Sequence, residues 1–182
     1  MRAELLERLR KVKLIISDVD GVFTDGSIYL ADDGREIKRF HVLDGAGIAL
    51  IRAIQFPFAV ISGRNSAVTT YRMKELGLEK ALFQGNLAKL EPYAAIKKQF
   101  GVEDEEVAYI GDDIIDIPLL RRVGVPIAVA NALPEVKAQA IYVTEHSGGS
   151  GAVREVIELI LRAQGKMEAA VAILTKDTYK DA

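Results

Sequence analysis

The sequence predicts an α/β fold, a doubly wound parallel sheet, on three observations. Short apolar runs at residues 12–16, 56–61, 81–83, 107–110 and 127–130 alternate with segments of helical periodicity. The runs are near-continuously apolar, as expected of strands covered on both faces, which are parallel and joined by right-handed helical crossovers. Polar residues follow three of the runs directly: Asp18 and Asp20, Ser62-Gly63-Arg64, and Gly111-Asp112-Asp113. In such a sheet, functional groups collect beyond the C-terminal ends of the strands.

Each element follows in order. Leu5, Leu6, Leu9 and Val12 lie at helical spacing and predict a short packing helix before the first strand. Residues 27–42 alternate around Asp33-Gly34 and predict a β-hairpin, a flap beside the acidic pair. Ile48, Leu50, Ile51 and Ile54 mark the next helix, and 56–61 the next strand. Then come a helix at 66–76, a strand at 81–83, a helix at 88–100, a strand at 107–110, a helix at 114–122 and a strand at 127–130. The glycine-rich stretch 147–151 reads either as an anion-binding turn at a helix N-terminus or as a flexible connection, and both readings stay open. Val153, Val156, Ile157, Ile160 and Leu161 predict a helix after it. Residues 167–182 form an apolar tail that either packs on a partner subunit or frays.

Composition narrows the function classes. A chain of 182 residues with 49% hydrophobic residues suffices for one domain spanning 1–182 with a sizeable core. A net charge of −2 with both signs interspersed provides no footprint for nucleic acid or an anionic membrane. The absence of cysteine excludes disulfides, thiolate catalysis and Cys-ligated zinc, and His41 and His146 are too few for a His-rich zinc site. A metal here has to use oxygen ligands. Residues 1–13 mix Arg and Glu without a long apolar core, so they read as neither secretory signal nor membrane span, and a cytoplasmic protein is expected.

The chemistry centres on Asp18-Val19-Asp20-Gly21-Val22. Two carboxylates placed two apart at a strand end project to one side and repel, unless a cation or a proton-transfer task uses the pair. A turn would account for either Asp alone but not for both. With Ser62, Lys89 and Asp112, the set suits phosphoryl transfer. A carboxylate nucleophile needs a divalent cation to approach a phosphate dianion, and Asp18 and Asp112 could hold Mg²⁺. Ser62, N–H groups near Gly63 and Lys89 would bind the equatorial oxygens, leaving Asp20 as general acid and then base. Taken singly, Ser62 could instead cap a helix, Lys89 could be a solvated lysine, and Asp112 could be an N-cap.

Asp18-Val-Asp-Gly-Val, Ile61-Ser-Gly-Arg64, Lys89 and Gly111-Asp-Asp-Ile-Ile-Asp116 resemble the four motifs of the haloacid dehalogenase superfamily of phosphatases, over nearly the whole chain. Thr24-Asp-Gly-Ser-Ile-Tyr, Phe40-His-Val-Leu-Asp-Gly-Ala-Gly47, Gly148-Gly-Ser-Gly-Ala-Val-Arg-Glu155 and Ala163-Gln-Gly-Lys166 resemble, more narrowly, its octulosonate 8-phosphate phosphatase branch. The resemblance implies the Rossmannoid fold of that superfamily with no separate cap domain, Mg²⁺ as cofactor, a homotetramer, and a phosphosugar substrate from lipopolysaccharide core synthesis. It implies Asp18 as nucleophile and metal ligand, Asp20 as acid/base giving its carbonyl to the metal, and Asp112 as the remaining ligand. It places substrate contacts at Asp20, His41, Val42, Leu43, Asp44, Gly45, Arg64, Arg72 and Lys89, with Asp113 orienting the metal shell and Asp116 structural. Arg64, a fixed cation where nonulosonate 9-phosphate phosphatases carry an acid, favours the octulosonate branch. Ser150 stands where the branch has a basic residue, and Ala88 where it has a polar one.

Two readings of other classes compete. A phospho-accepting receiver domain also joins acids, Ser/Thr and Lys on a parallel sheet, but its acidic pair is adjacent and its acceptor lies on a later strand. A non-catalytic relative would be expected to have lost one of Asp18, Asp20, Lys89 or Asp112. The 41 residues between Asp20 and Ser62, and the 26 between Ser62 and Lys89, are used by the elements above and leave no room for a lid. Water exclusion then needs a neighbouring subunit, which predicts a homo-oligomer with the 27–42 hairpin at an interface.

Overall fold

The computed structural model describes residues 3–176. Helix α1 (Ala3–Lys11) leads into β1 (Leu14–Ser17), and a two-stranded hairpin, β2 (Tyr29–Leu30) and β3 (Glu36–Ile37), precedes α2 (Val42–Ala53). There follow β4 (Phe58–Ser62), α3 (Ala67–Glu75), β5 (Leu82–Gln84), α4 (Leu90–Phe100), β6 (Val107–Gly111), the short α5 (Ile117–Leu120) and β7 (Val125–Ala128). The chain continues through α6 (Pro134–Lys137), β8 (Tyr142–Val143), α7 (Ala152–Ala163) and α8 (Met167–Leu174).

Six strands form one parallel sheet in the order β5-β4-β1-β6-β7-β8, and five of them fall on the apolar runs. Leu14, Ile15 and Ile16 are fully buried, which explains why this run lacks polar alternation: both faces of the central strand are covered. Helix α7 buries Val153, Val156, Ile157, Ile160 and Leu161 and packs on α2. Each such aliphatic side chain contributes about 1.5–3 kcal/mol when fully buried.

The register positions the site. Ser17 stands opposite Val60 of β4 and Ile110 of β6, so β1, β4 and β6 end at nearly one height. From β1 the chain moves outward through β4 and β5, then crosses to β6 on the other side. That reversal opens a crevice between the C-terminal ends of β1 and β6, where ligands bind in open α/β sheets.

Several boundaries differ from the sequence reading. The first strand begins at Leu14, two residues late, and the strand expected at 127–130 lies at Val125–Ala128. The helix expected at 114–122 is a 3₁₀ turn, Ile114–Asp116, followed by the one-turn α5; Asp113 caps the turn and Pro118 removes a donor at the junction. The hairpin pairs only Tyr29 with Ile37 and Leu30 with Glu36, and its second arm ends early because His41 caps α2 and Val42 is the first helical residue. β8 and α6 went unread because two and four residues are too short to carry a period. In the tail, α8 packs on α2 with Ala170 buried, while 177–182 lie outside the described residues.

The glycine-rich stretch is a packed connection. A Cβ on Gly148 would stand 1.8 Å from the Gly21 carbonyl oxygen, and one on Gly149 2.5 Å from the Asp25 nitrogen. Glycine therefore lets this loop lie directly against the turn that follows Asp20. No described helix is long and apolar enough to cross a membrane.

Candidate active site

The ends of β1 and β6 and the start of α4 converge on one buried charge cluster. The Lys89 ammonium, fully enclosed, lies 2.9 Å from Asp18 Oδ1 and 2.6 Å from Asp116 Oδ1. It also donates to the Tyr109 hydroxyl at 3.2 Å, and that hydroxyl donates to Asp116 Oδ1 at 2.5 Å. Burial alone would lower Lys89, but Asp18 and Asp116 outweigh it and hold its proton more tightly than in water. Lys89 is thus neither solvated nor neutral.

Oxygens of Asp18, Asp112 and Asp116 lie within 4.8 Å of one another. One ammonium among three carboxylates leaves a formal charge of −2. Burial raises Asp18 to about 7, with Asp116 adding repulsion against the opposing pull of Lys89. Burial, Asp18 and Asp116 together raise Asp112 to about 8. Asp116 is already satisfied, since its Oδ2 accepts N–H groups of Asp112 at 2.9 Å and Asp113 at 3.2 Å. Asp112 Oδ1, by contrast, is buried with no hydrogen-bond partner. Oxygen ligands, an excess of two negative charges and an unpartnered buried carboxylate oxygen are what a small divalent cation fits. Gly21, at φ +90°, brings the backbone so near that a Cβ there would be 2.0 Å from Asp112 Oδ2.

The second acid is held elsewhere. The turn after Ser17 separates the two carboxylates: Asp18 pairs with Lys89, and Asp20 Oδ1 accepts from the buried Lys38 ammonium at 2.6 Å. Lys38 follows β3, and the sequence reading missed it. The signal was available, because strand alternation puts Glu36 and Lys38 on the face opposite Ile37. Glu36 in turn accepts from Arg64 at 2.8 Å and from the Ser66 hydroxyl at 2.5 Å.

The other expected residues divide. Ser62, at the end of β4, is buried, and its hydroxyl exchanges hydrogen bonds with the backbone of Arg64; the cap of α3 is Ser66. Arg64 is exposed and turned onto Glu36. Asp113 accepts from the Ile114 N–H at 2.6 Å as a turn cap, so Asp113, not Asp112, has the capping geometry. Asp116, expected to be structural, sits at the centre of the cluster and holds both the Lys89 ammonium and the loop after β6.

His41 Nδ1 accepts from Leu43 N–H, and Val42 and Leu43 are exposed at the start of α2. Asp44 is buried and accepts from the Arg154 N–H at 3.0 Å, so a carboxylate of this chain occupies the N-terminus of α7, where the sequence left open an anion site. Burial raises Asp44 above the usual carboxylate range even against those N–H groups. Gly45 leaves space for the Arg72 guanidinium, 2.7 Å from where a Cβ would stand, and Arg72 pairs with Glu75 and lies over the Phe40 ring. Near Ser150, where a basic residue was expected, Arg39 donates to the Gly149 carbonyl at 3.1 Å while pairing with Asp25.

Known proteins resemble this chain in sequence and fold. The model for haloacid dehalogenase-like hydrolases matches residues 61–157. A 3-deoxy-D-manno-octulosonate 8-phosphate phosphatase of Yersinia pestis is 42% identical over 170 residues, 93% of this chain and 90% of that one. The same enzyme of Escherichia coli K12 is 41% identical, over 92% of this chain and 89% of that one. A solved octulosonate 8-phosphate phosphatase of Moraxella catarrhalis, in complex with magnesium ion, phosphate ion and the octulosonate sugar, superposes with a TM-score of 0.90 at 38% identity, over 96% of this chain and 100% of that one. With the parallel sheet, the crevice at its switch point and the acidic cluster in place, this chain belongs to the haloacid dehalogenase-like hydrolases.

Proposed function

We propose that this chain is a Mg²⁺-dependent phosphatase that hydrolyses 3-deoxy-D-manno-octulosonate 8-phosphate to the free sugar acid and phosphate, in the cytoplasmic synthesis of the lipopolysaccharide core. The observation that carries the chemistry is the buried cluster of Asp18, Asp112, Asp116 and Lys89. The substrate is supported by the relatives above.

Asp18, Asp112 and the Asp20 carbonyl would hold magnesium, which would supply the charge that lets a carboxylate meet a phosphate dianion. Asp18 attacks phosphorus while Asp20 gives a proton to the departing sugar oxygen, and Asp18 carries the phosphoryl group. Ser62, N–H groups near Gly63 and Lys89 bind the phosphoryl oxygens, with Asp116 and Tyr109 fixing the ammonium. Asp20 then takes a proton from the water that releases phosphate and regenerates Asp18. In this reading the sugar is received by the segment from His41 to Gly45, of which Val42 and Leu43 are exposed, with Arg64 and Arg72. Arg64 exchanges Glu36 for the substrate carboxylate, a bidentate match for its guanidinium.

The working form is a homotetramer. Ile28, Tyr29, Leu30 and Ile37 leave exposed apolar side chains on both faces of the hairpin, with Leu30 71% exposed, which suits burial against another copy.

Phosphate release with Mg²⁺ across a panel of sugar phosphates will be fastest with octulosonate 8-phosphate, and Asp18→Asn will lose at least about a thousandfold. Preference for nonulosonate 9-phosphates would overturn the role of Arg64, and wild-type turnover by Asp18→Asn would overturn the nucleophile. A mass measurement in solution will find an oligomer; a fully active monomer contradicts the interface. Cation binding is also linked to pH. Raised folded-state pKa values mean that Asp18 and Asp112 favour the fold while protonated, below about pH 4, and that this contribution is lost as pH rises through about 7 and 8. Saturating Mg²⁺ will therefore raise the unfolding midpoint by about 5–10 °C at alkaline pH and by less in mild acid, where protons compete. Equal shifts at both pH values, or none, would count against these ligands.

A further inference from the structure

The Lys38 ammonium is fully enclosed, a position that costs several kcal/mol unless it is well paired. Its three donors face three oxygens: Asp20 Oδ1 at 2.6 Å, the Thr69 hydroxyl at 3.2 Å and Glu36 Oε1 at 3.8 Å. Asp20 has no comparable freedom. One of its oxygens is fixed by Lys38, and the other, Oδ2, is buried without a hydrogen-bond partner. With Oδ1 held by the ammonium, Oδ2 is the oxygen left to exchange a proton.

We propose that Lys38 is a positioning residue that holds Asp20 Oδ1, so that Oδ2 alone gives the proton to the leaving sugar oxygen and later takes one from water. The proposal rests on the phosphatase reading above. In the first half-reaction the Asp18 carboxylate oxygen bonds to phosphorus, the ester P–O bond breaks with its electron pair going to the sugar oxygen, and the proton on Asp20 Oδ2 moves to that oxygen. In the second, water oxygen bonds to phosphorus, the Asp18–phosphorus link breaks with its electron pair returning to Asp18, and Oδ2 takes the water proton. Lys38 touches no reacting atom. It is anchored on the hairpin, and through Glu36 the same strand holds Arg64 and Ser66 at the end of β4. The flap thereby sets the direction of proton transfer as well as bordering the site.

The test uses two esters that differ in their need for a proton. Sugar 8-phosphate leaves as an alkoxide and needs the acid, whereas p-nitrophenyl phosphate leaves as a stable phenolate and does not. kcat/KM reports on the steps through departure of the alcohol. With full-length protein and Mg²⁺, Lys38→Met will lower kcat/KM about a hundredfold for octulosonate 8-phosphate and less than about tenfold for p-nitrophenyl phosphate. Asp20→Asn will show the same split, and adding Lys38→Met to it will cost nothing further. Thr69→Val, which keeps the Lys38–Asp20 pair but removes a second anchor, will show a smaller split in the same sense and keeps the test available if Lys38→Met fails to fold. Equal losses on both esters, or none, would overturn the proposal. If wild type hydrolyses other alkyl phosphates but not octulosonate 8-phosphate, the substrate reading fails, and the split is read on the best alkyl phosphate instead.

Discussion

Three carboxylates crowd around one enclosed ammonium at the middle of the sheet, and the rest of the molecule is arranged so that they stay there. Lys89 neutralises one charge and lies within hydrogen-bonding distance of Asp18 and Asp116. What remains is a concentrated negative site in a poorly solvated crevice, unstable alone and strongly attractive to a divalent cation. Burial first, and repulsion among the carboxylates after it, raise the proton affinities of Asp18 and Asp112. A site of this kind keeps an opposing force ready for the cation and the phosphate it accompanies.

Holding such groups takes rigid support. β1, β4 and β6 end in register, so Asp18, Ser62 and Asp112 are presented together from strands that are buried throughout. Asp116 closes the β6 end by accepting N–H groups of Asp112 and Asp113 while pairing with Lys89, so one side chain sets both the loop and the ammonium. From behind, the glycine-rich loop presses on the turn after Asp20, and Asn131 clasps both by donating to the Gly21 carbonyl and accepting from the Gly148 N–H. Asp44 reaches across to cap α7, locking α2 to the helix that covers its inner face.

Much of this was legible before the structure, and the reason is the length of the signals. Apolar runs of four to six residues identify central strands, and the polar residues just beyond them identify the catalytic edge. The ordered set Asp18, Ser62, Lys89 and Asp112 therefore pointed to one crevice. What stayed hidden depends on contacts far apart in the chain. Lys38 went unread: alternation gives its face, but only tertiary packing buries it against Asp20. Asp116 sat in a stretch read as one helix, and the 3₁₀ turn that directs it into the cluster was not foreseen. Asp44 lay among expected substrate contacts, yet its partner is 110 residues away. The two acids of the opening motif read as one pair, but the chain turns between them and gives each its own lysine.

Under the proposed function this separation becomes a division of labour, in which Asp18 would carry the phosphoryl group and Asp20 would move protons. Rapid acid quenching during steady turnover with Mg²⁺, followed by peptide mass mapping, tests it most directly. The account predicts phosphate bound as an acyl phosphate on Asp18. Phosphate on another side chain, or turnover with no phosphorylated protein at any time, would contradict it.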